Sequence, residues 1–335
     1  MMNKPVVQNF GHETSLLRRK NVLVTGASGF IGSELIRQLE TSGYRVTQAS
    51  RNTRPGRLPV LQLPSLDDPL TAFEDLLEDV DHVVHLAAIH HASASVSAEE
   101  YHAANCMLTA RLAQAADKMI SGKLVFTSSI RAQCGGVFDG VICENDPPHP
   151  TDDYGRAKLA AEAEIAAAMP RRNYTILRPV LVYGPAATGN LAKLARLAAL
   201  PVPLPLKSLP GRRSLLDRAA LCAAIIHCLH EPKTDGEVFI VADQRSLTLG
   251  EMVSAMRRGM GHRPMLFSLP DHVLDLVAEI TAQNDRKQRL YRDLVASSSK
   301  LQSTGWVAVE DPVRQMESLQ RADVVSPLPL VRVPL

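Results

Sequence analysis

A glycine-spaced turn between a β run and a helical run is the feature that most constrains this chain. Residues 22–32 read Val-Leu-Val-Thr-Gly-Ala-Ser-Gly-Phe-Ile-Gly, and Leu35, Ile36 and Leu39 then recur at helical spacing. A strand, a tight turn and a helix N-terminus in this order bring free backbone N–H groups and the positive end of a helix dipole to one point. The segment therefore predicts a dinucleotide-binding βα unit rather than a plain β–α turn.

Each glycine of this turn has its own predicted role. Gly26 lets the chain turn, Gly29 lets the backbone approach a phosphate, and Gly32 lets the helix pack closely on the strand. We therefore expect the pyrophosphate of a dinucleotide to bind at this turn.

The composition limits the classes of partner. The chain has 335 residues, of which 45% are hydrophobic and 21% charged, and its formal net charge is only +2. Basic residues are scattered and 4% of residues are aromatic, so we expect neither a nucleic acid nor an anionic membrane as a partner. No apolar run approaches the ~20 residues that span a bilayer, and the residues before Asn21 lack the apolar core of a secretory signal.

The cysteine and histidine patterns favour a reduced protein without metal. Five cysteines occur without a CxxC pair, which predicts free thiols and a cytoplasmic location. His90 and His91 lie near His85, but no cysteine or carboxylate completes a set of ligands, so we expect no structural zinc.

Short apolar runs alternate with helical patterns along the chain. Strands are predicted at 21–25, 44–49, 60–63, 82–86, 123–127, 174–178 and 237–241. This alternation predicts an α/β fold, a doubly wound parallel (Rossmann) sheet with a smaller C-terminal substrate lobe. The predicted divisions are a flexible arm at 1–20, a Rossmann dinucleotide-binding domain at 21–179 that strand 237–242 joins, a substrate-binding lobe of 180–215 and 243–323, and a tail at 324–335.

Three side chains suggest acid–base chemistry. Tyr154 and Lys158 stand four residues apart in a helical run, which places the phenol and the ammonium on one helix face. A neighbouring cation stabilises the tyrosinate and so makes the phenol a better proton acceptor near neutral pH. Ser129 lies just after the strand predicted at 123–127, at the edge where a doubly wound sheet binds its ligand. Its hydroxyl can form a hydrogen bond with a substrate oxygen.

These motifs together resemble the extended short-chain dehydrogenase/reductase (NAD-dependent epimerase/dehydratase) family. The resemblance runs from about Asn21 to Gln320 and includes Thr25-Gly-x-x-Gly-x-x-Gly32, His85-Leu-Ala-Ala88, Asn105, Phe-Thr-Ser-Ser129, Tyr154-x-x-x-Lys158 and Leu177-Arg-Pro-Val-x-x-Val-Tyr-Gly-Pro185. Among the members of this family, the chain most resembles the bacterial UDP-4-keto-6-deoxy-sugar reductases.

The resemblance implies roles for individual residues. Tyr154 would be the acid/base, Lys158 would bind the ribose and lower the tyrosine pKa, and Ser129 would orient the reacting carbonyl. The cofactor would also be contacted by Gly26, Ser28, Gly29, Phe30, Ile31, Arg51, Leu66, Leu86, Ala87, Ala88, Asn105, Pro179 and Val180. Hydride would then pass between the nicotinamide and a sugar carbon.

The end of the second strand bears on the choice between NAD and NADP. A carboxylate there accepts hydrogen bonds from the ribose 2′-hydroxyl, whereas an arginine suits a 2′-phosphate. The chain has Arg51 and no carboxylate at this point, so NADP(H) is favoured over NAD(H). The alternative is that Arg51 lies over the adenine or in solvent. An aspartate common in the family near the adenine is replaced by Ser65, with Leu66 beside it.

Two further residues resemble those that hold the diphosphate of nucleotide sugars. Arg213 is the predicted phosphate ligand, because its guanidinium presents parallel donors, and Asn190 is predicted beside it. The chain departs from the family pattern after this point, with Leu-Leu-Asp-Arg-Ala-Ala at 215–220, which weakens the substrate assignment.

Three functions compete. The first is a 4-ketoreductase acting on a nucleotide-linked sugar with NADPH or NADH, the second a UDP-sugar 4-epimerase with retained NAD, and the third a non-catalytic dinucleotide-binding regulator. Arg51 favours the ketoreductase, and the presence of Ser129, Tyr154 and Lys158 disfavours the regulator. Homodimers through paired helices are common in the family, and 101–116 and 157–168 could supply those helices.

Overall fold

The computed structural model describes residues 19–51, 60–89, 96–187, 189–268 and 291–325, with side chains described as far as Arg321. Its strands are β1 (Asn21–Thr25), β2 (Arg45–Ser50), β3 (Val60–Gln62), β4 (His82–His85), β5 (Leu124–Thr127), β6 (Val141–Ile142), β7 (Tyr174–Pro179), β8 (Leu181–Tyr183), β9 (Arg212–Arg213), β10 (Leu215–Asp217), β11 (Glu237–Val241), β12 (Leu247–Thr248) and β13 (Val295–Ala296). Its α-helices are α1 (Gly32–Thr41), α2 (Leu70–Leu76), α3 (Ala98–His102), α4 (Leu108–Met119), α5 (Ile130–Gln133), α6 (Asp153–Ala168), α7 (Gly189–Ala199), α8 (Arg218–His230), α9 (Leu249–Gly259), α10 (Ser299–Gln302) and α11 (Pro312–Val325). A π-helical turn, Ala103–Met107, joins α3 to α4, and a 3₁₀ turn, Pro232–Thr234, follows α8.

Seven strands form one parallel sheet in the order β3-β2-β1-β4-β5-β7-β11. This is the doubly wound order, in which the two halves of the sheet meet between β1 and β4 and open a crevice at their carboxyl ends. The predicted α/β fold class is confirmed, and each predicted sheet strand agrees with the observed one to within one residue at either end. β11 pairs with β7 and so extends the sheet from a distant part of the chain.

The helices cover both faces of the sheet. On one face α2, α4 and α6 pack their apolar sides against buried residues such as Leu23, Phe126 and Ile176. On the other face α1 and α8 pack against Val24 and Leu177. Since both faces are covered, the central strands β1, β4, β5 and β7 are buried along their whole length, which is why their sequences show apolar runs rather than alternation.

The helix before α4 begins earlier and is less regular than its sequence indicates. Ser97 and Glu100 form a capping box that starts α3 at Ala98, three residues ahead of the predicted segment 101–116. The π turn that follows buries Asn105, whose side chain bonds the backbone of Ile89. A polar side chain turned inward at this point accounts for the interruption of the α-helix.

The C-terminal part packs around a second apolar cluster. Its buried members include Tyr183 of β8, Leu191 of α7, Val253 of α9 and Met316 of α11. α11 continues through Val325, two residues into the segment predicted as a tail, and 326–335 lie outside the described residues together with most of the predicted arm. None of the described helices is long and apolar enough to cross a membrane.

Candidate active site

The glycine turn is packed tightly against the end of β4. Gly26 has φ +71°, and a Cβ there would stand 2.8 Å from the backbone nitrogen of Ala87. A Cβ on Gly32 would lie 2.6 Å from the carbonyl oxygen of Ala27, so only glycine lets α1 start this close to the turn. Gly29 donates its N–H to the carbonyl of Gly26 at 3.0 Å. The turn therefore has the compact form that leaves its outer side open to a phosphate.

Buried polar side chains fix the loop that follows β4. Thr25 Oγ1 accepts the N–H of Ala87 at 3.2 Å and bonds His85 Nδ1 at 2.7 Å, while His85 Nε2 bonds Thr109 Oγ1 at 3.0 Å. Burial lowers the pKa of His85 to about 3, so its imidazole is neutral. Asn105 accepts the N–H of Ile89 at 2.7 Å and donates to its carbonyl at 3.0 Å. Leu86, Ala87 and Ala88 are thus held at the edge of the crevice, and Asn105 acts on this loop through backbone bonds.

A cavity of about 540 Å³ opens beside this loop, at the carboxyl ends of β2, β3 and β4. Its lining contains four of the predicted cofactor residues, Arg51, Leu66, Ala87 and Ala88. Asp68, which the sequence analysis overlooked, also lines it, and its Oδ2 accepts both the N–H and the hydroxyl of Ser65 at 2.7 and 2.9 Å. A cavity of this size next to a glycine turn fits the nucleoside half of a dinucleotide.

The three predicted catalytic residues come together at the carboxyl end of β5. Ser129 caps α5, where its Oγ accepts the N–H of Arg131 at 3.1 Å, and its side chain also hydrogen-bonds the hydroxyl of Tyr154. Lys158, one turn further along α6, donates to the carbonyl of Thr127 at 2.9 Å and lies 4.5 Å from the centroid of the Phe126 ring. Tyr154 and Lys158 are buried, and their hydrogen bonds to Ser129 and to the Thr127 carbonyl place them at the carboxyl end of β5.

The ionisation of this pair differs from the expectation that Lys158 makes the tyrosine acidic. Burial raises the pKa of Tyr154 to about 12. The Ser129 hydrogen bond and the charge of Arg131 act in the opposite direction and lower this pKa. Burial also lowers the pKa of Lys158 to about 7, because a desolvated ammonium is disfavoured. The reason for the difference is that the Lys158 ammonium is directed to the Thr127 carbonyl, and the cation that lowers the tyrosine pKa is Arg131.

Contacts between α5 and α6 set the distance between Ser129 and Tyr154. Asp152 caps α6 by accepting the N–H of Gly155 at 2.7 Å and pairs with the guanidinium of Arg131. A Cβ on Gly155 would stand 2.9 Å from the carbonyl carbon of Arg131, so α6 can lie this close only with glycine at that position. The sequence analysis missed Arg131 and Asp152, although an aspartate three residues before Gly155 is an N-cap signal.

Thr127 supports the fit of a cofactor at this edge. Its Oγ1 is buried and has no hydrogen-bond partner among the described residues, while its carbonyl accepts from Lys158. A buried hydroxyl without a partner is costly unless a ligand or water satisfies it. Pro179 ends the neighbouring strand β7, and Val180 donates its N–H to the carbonyl of Val241 at 3.1 Å, which places both predicted nicotinamide neighbours at the same edge.

The unusual segment 215–220 forms β10 and the start of α8. Asp217 caps α8 by accepting the N–H of Ala220 at 3.0 Å. The guanidinium of Arg218 lies 4.8 Å from the centroid of the Phe30 ring, and Nη1 donates to the Phe30 carbonyl at 3.2 Å. The departure from the family pattern thus ties α8 to the glycine turn.

The two predicted diphosphate ligands lie on different elements of the C-terminal part. Asn190 is exposed in the first turn of α7, and Arg213 is half-buried in β9, which pairs with β12. Its neighbour Arg212 is held by Ser246, whose carbonyl accepts Nη2 at 2.6 Å, and by Glu251. Their role toward a diphosphate stays a prediction.

Comparisons with known proteins agree with this geometry. The family model described as the NAD dependent epimerase/dehydratase family matches residues 22–242. UDP-glucose 4-epimerase of Vibrio cholerae is 30% identical over 296 residues, covering 86% of this chain and 90% of its own. A shorter match, 41% identical over 81 residues, covers 21% of the chain and 25% of dTDP-4-dehydro-6-deoxy-D-allose reductase of Streptomyces bikiniensis.

Solved structures share the whole architecture. MoeE5 in complex with UDP-glucose and NAD superposes with a TM-score of 0.70 at 26% identity, covering 91% of this chain and 98% of that one. The glycine turn, the Ser129–Tyr154–Lys158 cluster and the match over most of its length show that the chain belongs to the NAD-dependent epimerase/dehydratase family.

Proposed function

We propose that the protein is a UDP-sugar 4-epimerase that retains NAD. The observation that carries this proposal is the hydrogen bond between half-buried Ser129 and buried Tyr154 at the sheet edge, where Pro179 and Val180, the predicted neighbours of the nicotinamide, also lie. A full-length relative is named a UDP-glucose 4-epimerase, and a structural neighbour holds UDP-glucose with NAD. The preference for NADP that Arg51 suggested finds no support in these relatives, which removes the main argument for placing the ketoreductase first.

The site residues can serve both halves of such a reaction. Bound NAD would supply the hydride transfer, taking hydride from the sugar C4 as NAD+ and giving it to the other face of the ketone as NADH, and the positive charge of the oxidised ring would favour the tyrosinate. Tyr154 takes the proton of the C4 hydroxyl as the ketone forms and gives it back as the C–H bond is remade. Ser129 donates a hydrogen bond to the same oxygen, and Lys158 holds the ribose near Tyr154.

The polar groups around Tyr154 support redox chemistry at C4 over elimination of water. A dehydratase needs a further acid and base to remove a proton from one sugar carbon and a hydroxyl from the next. In the described ranges, the carboxylate that acts on Tyr154 is Asp152, which is already engaged as the cap of α6 and as the partner of Arg131. The two residues that follow Ser129 are Ile130 and Arg131, neither of which is such an acid–base group.

A 4-ketoreductase remains the second candidate. Arg51 lies on the wall of the nucleoside cavity, where a guanidinium could meet a 2′-phosphate, and the short match to an allose reductase points the same way. Such an enzyme would release its cofactor after each turnover and would oxidise NADPH on a 4-keto sugar.

One experiment separates the two. The purified protein is denatured to release and identify bound cofactor, and the native protein is incubated with UDP-glucose, UDP-N-acetylglucosamine and UDP-glucuronic acid while NMR follows inversion at C4. We expect retained NAD and inversion of at least one sugar without net change at 340 nm. NADPH oxidation on a UDP-4-keto sugar without inversion would instead establish the ketoreductase.

The matched variants are Tyr154→Phe and Tyr101→Phe. The rings of Tyr101 and Tyr154 meet edge to face at 6.1 Å, so both changes remove a hydroxyl from the same aromatic pair. Tyr154→Phe should lower turnover by about 10²–10⁴-fold because it removes the proton carrier, whereas Tyr101→Phe should leave turnover largely intact. Equal turnover in the two variants would exclude Tyr154 as the acid/base.

A further inference from the structure

A buried ion pair lies directly behind the catalytic residues. Glu162 and Arg178 have side chains only 5% and 6% exposed, and the carboxylate accepts Arg178 Nε at 3.0 and 3.2 Å while also pairing with Nη2. Ser128 donates its hydroxyl to Glu162, and Gln133 accepts from Arg178 Nη1. We name these four side chains the Glu162 network.

The network touches the elements that carry the three catalytic residues and the predicted nicotinamide neighbour Pro179. Ser128 precedes Ser129, Arg178 precedes Pro179, and Gln133 belongs to α5, the helix that Ser129 caps. Glu162 lies on α6 one turn after Lys158, so Tyr154, Lys158 and Glu162 occupy one helix face at four-residue spacing. A displacement of the carboxylate would therefore be felt by β5, β7, α5 and α6 together.

Lys158 is enclosed by few charges. On its own helix Glu162 is the anion that acts on it, and it favours the ammonium against the cost of burial. From β4 the neutral imidazole of His85 lies close to Lys158, and from β5 the Thr127 carbonyl and the Phe126 ring contact it. Arg178, on β7, is paired with Glu162.

A buried carboxylate with these neighbours is an expensive feature to maintain for packing alone. Apolar residues of similar volume often replace a buried ion pair without loss of stability, whereas removal of one partner leaves an uncompensated charge. The site beside this anion contains Lys158, the cation that the family resemblance assigns to the cofactor ribose.

We propose that Glu162 keeps Lys158 protonated and that Glu162 and Arg178 together form a positioning pair that holds Ser129 and Pro179 in place around the cofactor. The inference rests on the proposed function, because it concerns how the same site binds its dinucleotide. Glu162 touches neither substrate nor cofactor in this scheme and acts through Lys158 and Ser128.

The test measures NADH affinity by fluorescence as a function of pH, in protein stripped of bound cofactor. Glu162→Gln keeps the volume and removes the charge, Glu162→Asp keeps the charge, and Glu164→Gln removes an exposed charge two residues away on the same helix. For Glu162→Gln we expect the loss of affinity at high pH to begin about one pH unit lower than in the wild type, so that NADH binds about tenfold more weakly there. The difference should narrow as the pH falls and Lys158 becomes protonated in both proteins, while Glu162→Asp and Glu164→Gln follow the wild-type profile.

The outcomes separate this inference from the proposed function. Coincident pH profiles for Glu162→Gln and the wild type would overturn the positioning pair while leaving the epimerase proposal intact. A wild type that neither carries NAD nor binds NADH would overturn the proposed function itself. If Glu162→Gln does not fold, the double variant E162Q/R178Q removes both charges, and its profile should still move to lower pH because Glu162, not Arg178, is the charge that acts on Lys158.

Discussion

Gly155 offers the sharpest test of how the acid–base group is positioned. Its Cα faces the carbonyl of Arg131, and a Cβ would lie 2.9 Å from that carbonyl carbon and closer still to its oxygen. Ordinary Cβ contacts stay beyond about 3.4 Å, and the carbonyl oxygen is the nearer obstacle, so Gly155→Ala must move α6 or α5 by about 1 Å. The neighbouring Tyr154 moves with the helix, away from the Ser129 hydroxyl that holds it.

The expected cost falls on turnover more than on stability. Overpacking costs about 1–3 kcal/mol, and the helix propensity of alanine returns about 1 kcal/mol of that. A misplacement near 1 Å can lower a rate by ~10²-fold. We therefore expect Gly155→Ala to lower kcat by about ten- to a hundredfold. The Tm should fall modestly, and NADH binding should stay near normal.

The assay pairs steady-state epimerisation with thermal unfolding, and Ala163→Gly serves as the control. Ala163 is exposed on α6 away from Arg131, so its replacement lowers helix stability by about 1 kcal/mol without moving Tyr154. If Gly155→Ala keeps a kcat within about threefold of the control, the close approach of α5 and α6 does not position the tyrosine and the reasoning fails.

Three further predictions follow from the described contacts. Arg51→Asp should lower affinity for NADPH relative to NADH by about tenfold if the guanidinium meets the 2′-phosphate, and an unchanged ratio of the two dissociation constants would place it in solvent. Arg218→Ala removes the bond to the Phe30 carbonyl and the ring contact, so NADH should bind about five- to tenfold more weakly, while Arg37→Ala on the exposed side of α1 should not change it. Burial raises the pKa of Asp243 to about 7, above its usual 3.8. Between pH 4 and pH 7 this carboxyl is therefore protonated in the folded protein and ionised in the unfolded chain, so the free energy of unfolding should fall as the pH rises from about 4 to 7. Asp243→Asn, which can still accept from the Tyr183 hydroxyl, should flatten that slope in denaturant titrations at several pH values.

The central sheet could be predicted because its strands carry local signals. Each strand is a short apolar run that ends at a turn or a helix start. The glycine spacing also predicts the tight turn in which Gly26 has a positive φ. These local signals are sufficient even for β11, which is distant from the other sheet strands in the chain. The residues of Glu237–Val241 alone predict a strand, and this strand pairs with β7. Helix starts were less accurate, because the caps at Ser97 and Asp152 were not used and α3 and α6 begin earlier than the apolar pattern does.

The electrostatics of the site could not be predicted from spacing. A tyrosine and a lysine four residues apart suggest mutual stabilisation, yet burial depth and the direction of the ammonium decide their pKa values, and both depend on β5. Arg131 lowers the pKa of Tyr154 from a different helix, and the residues next to Arg131 in the sequence do not predict this effect. Which charges meet across a sheet is settled by the fold rather than by the local pattern.

Retention of the cofactor, more than its identity, is what separates an epimerase from a reductase on this scaffold, because an epimerase must keep the hydride that it borrows. Besides Lys158, further contacts would slow release of the cofactor. They lie where the glycine turn is tied down, by Ala87 packed against Gly26 on one side and by Arg218 over Phe30 on the other. Arg218, at the start of α8, ties this helix to the glycine turn where the pyrophosphate is predicted to bind. We expect these contacts to favour long residence of the dinucleotide, which is the property that the proposed 4-epimerase requires.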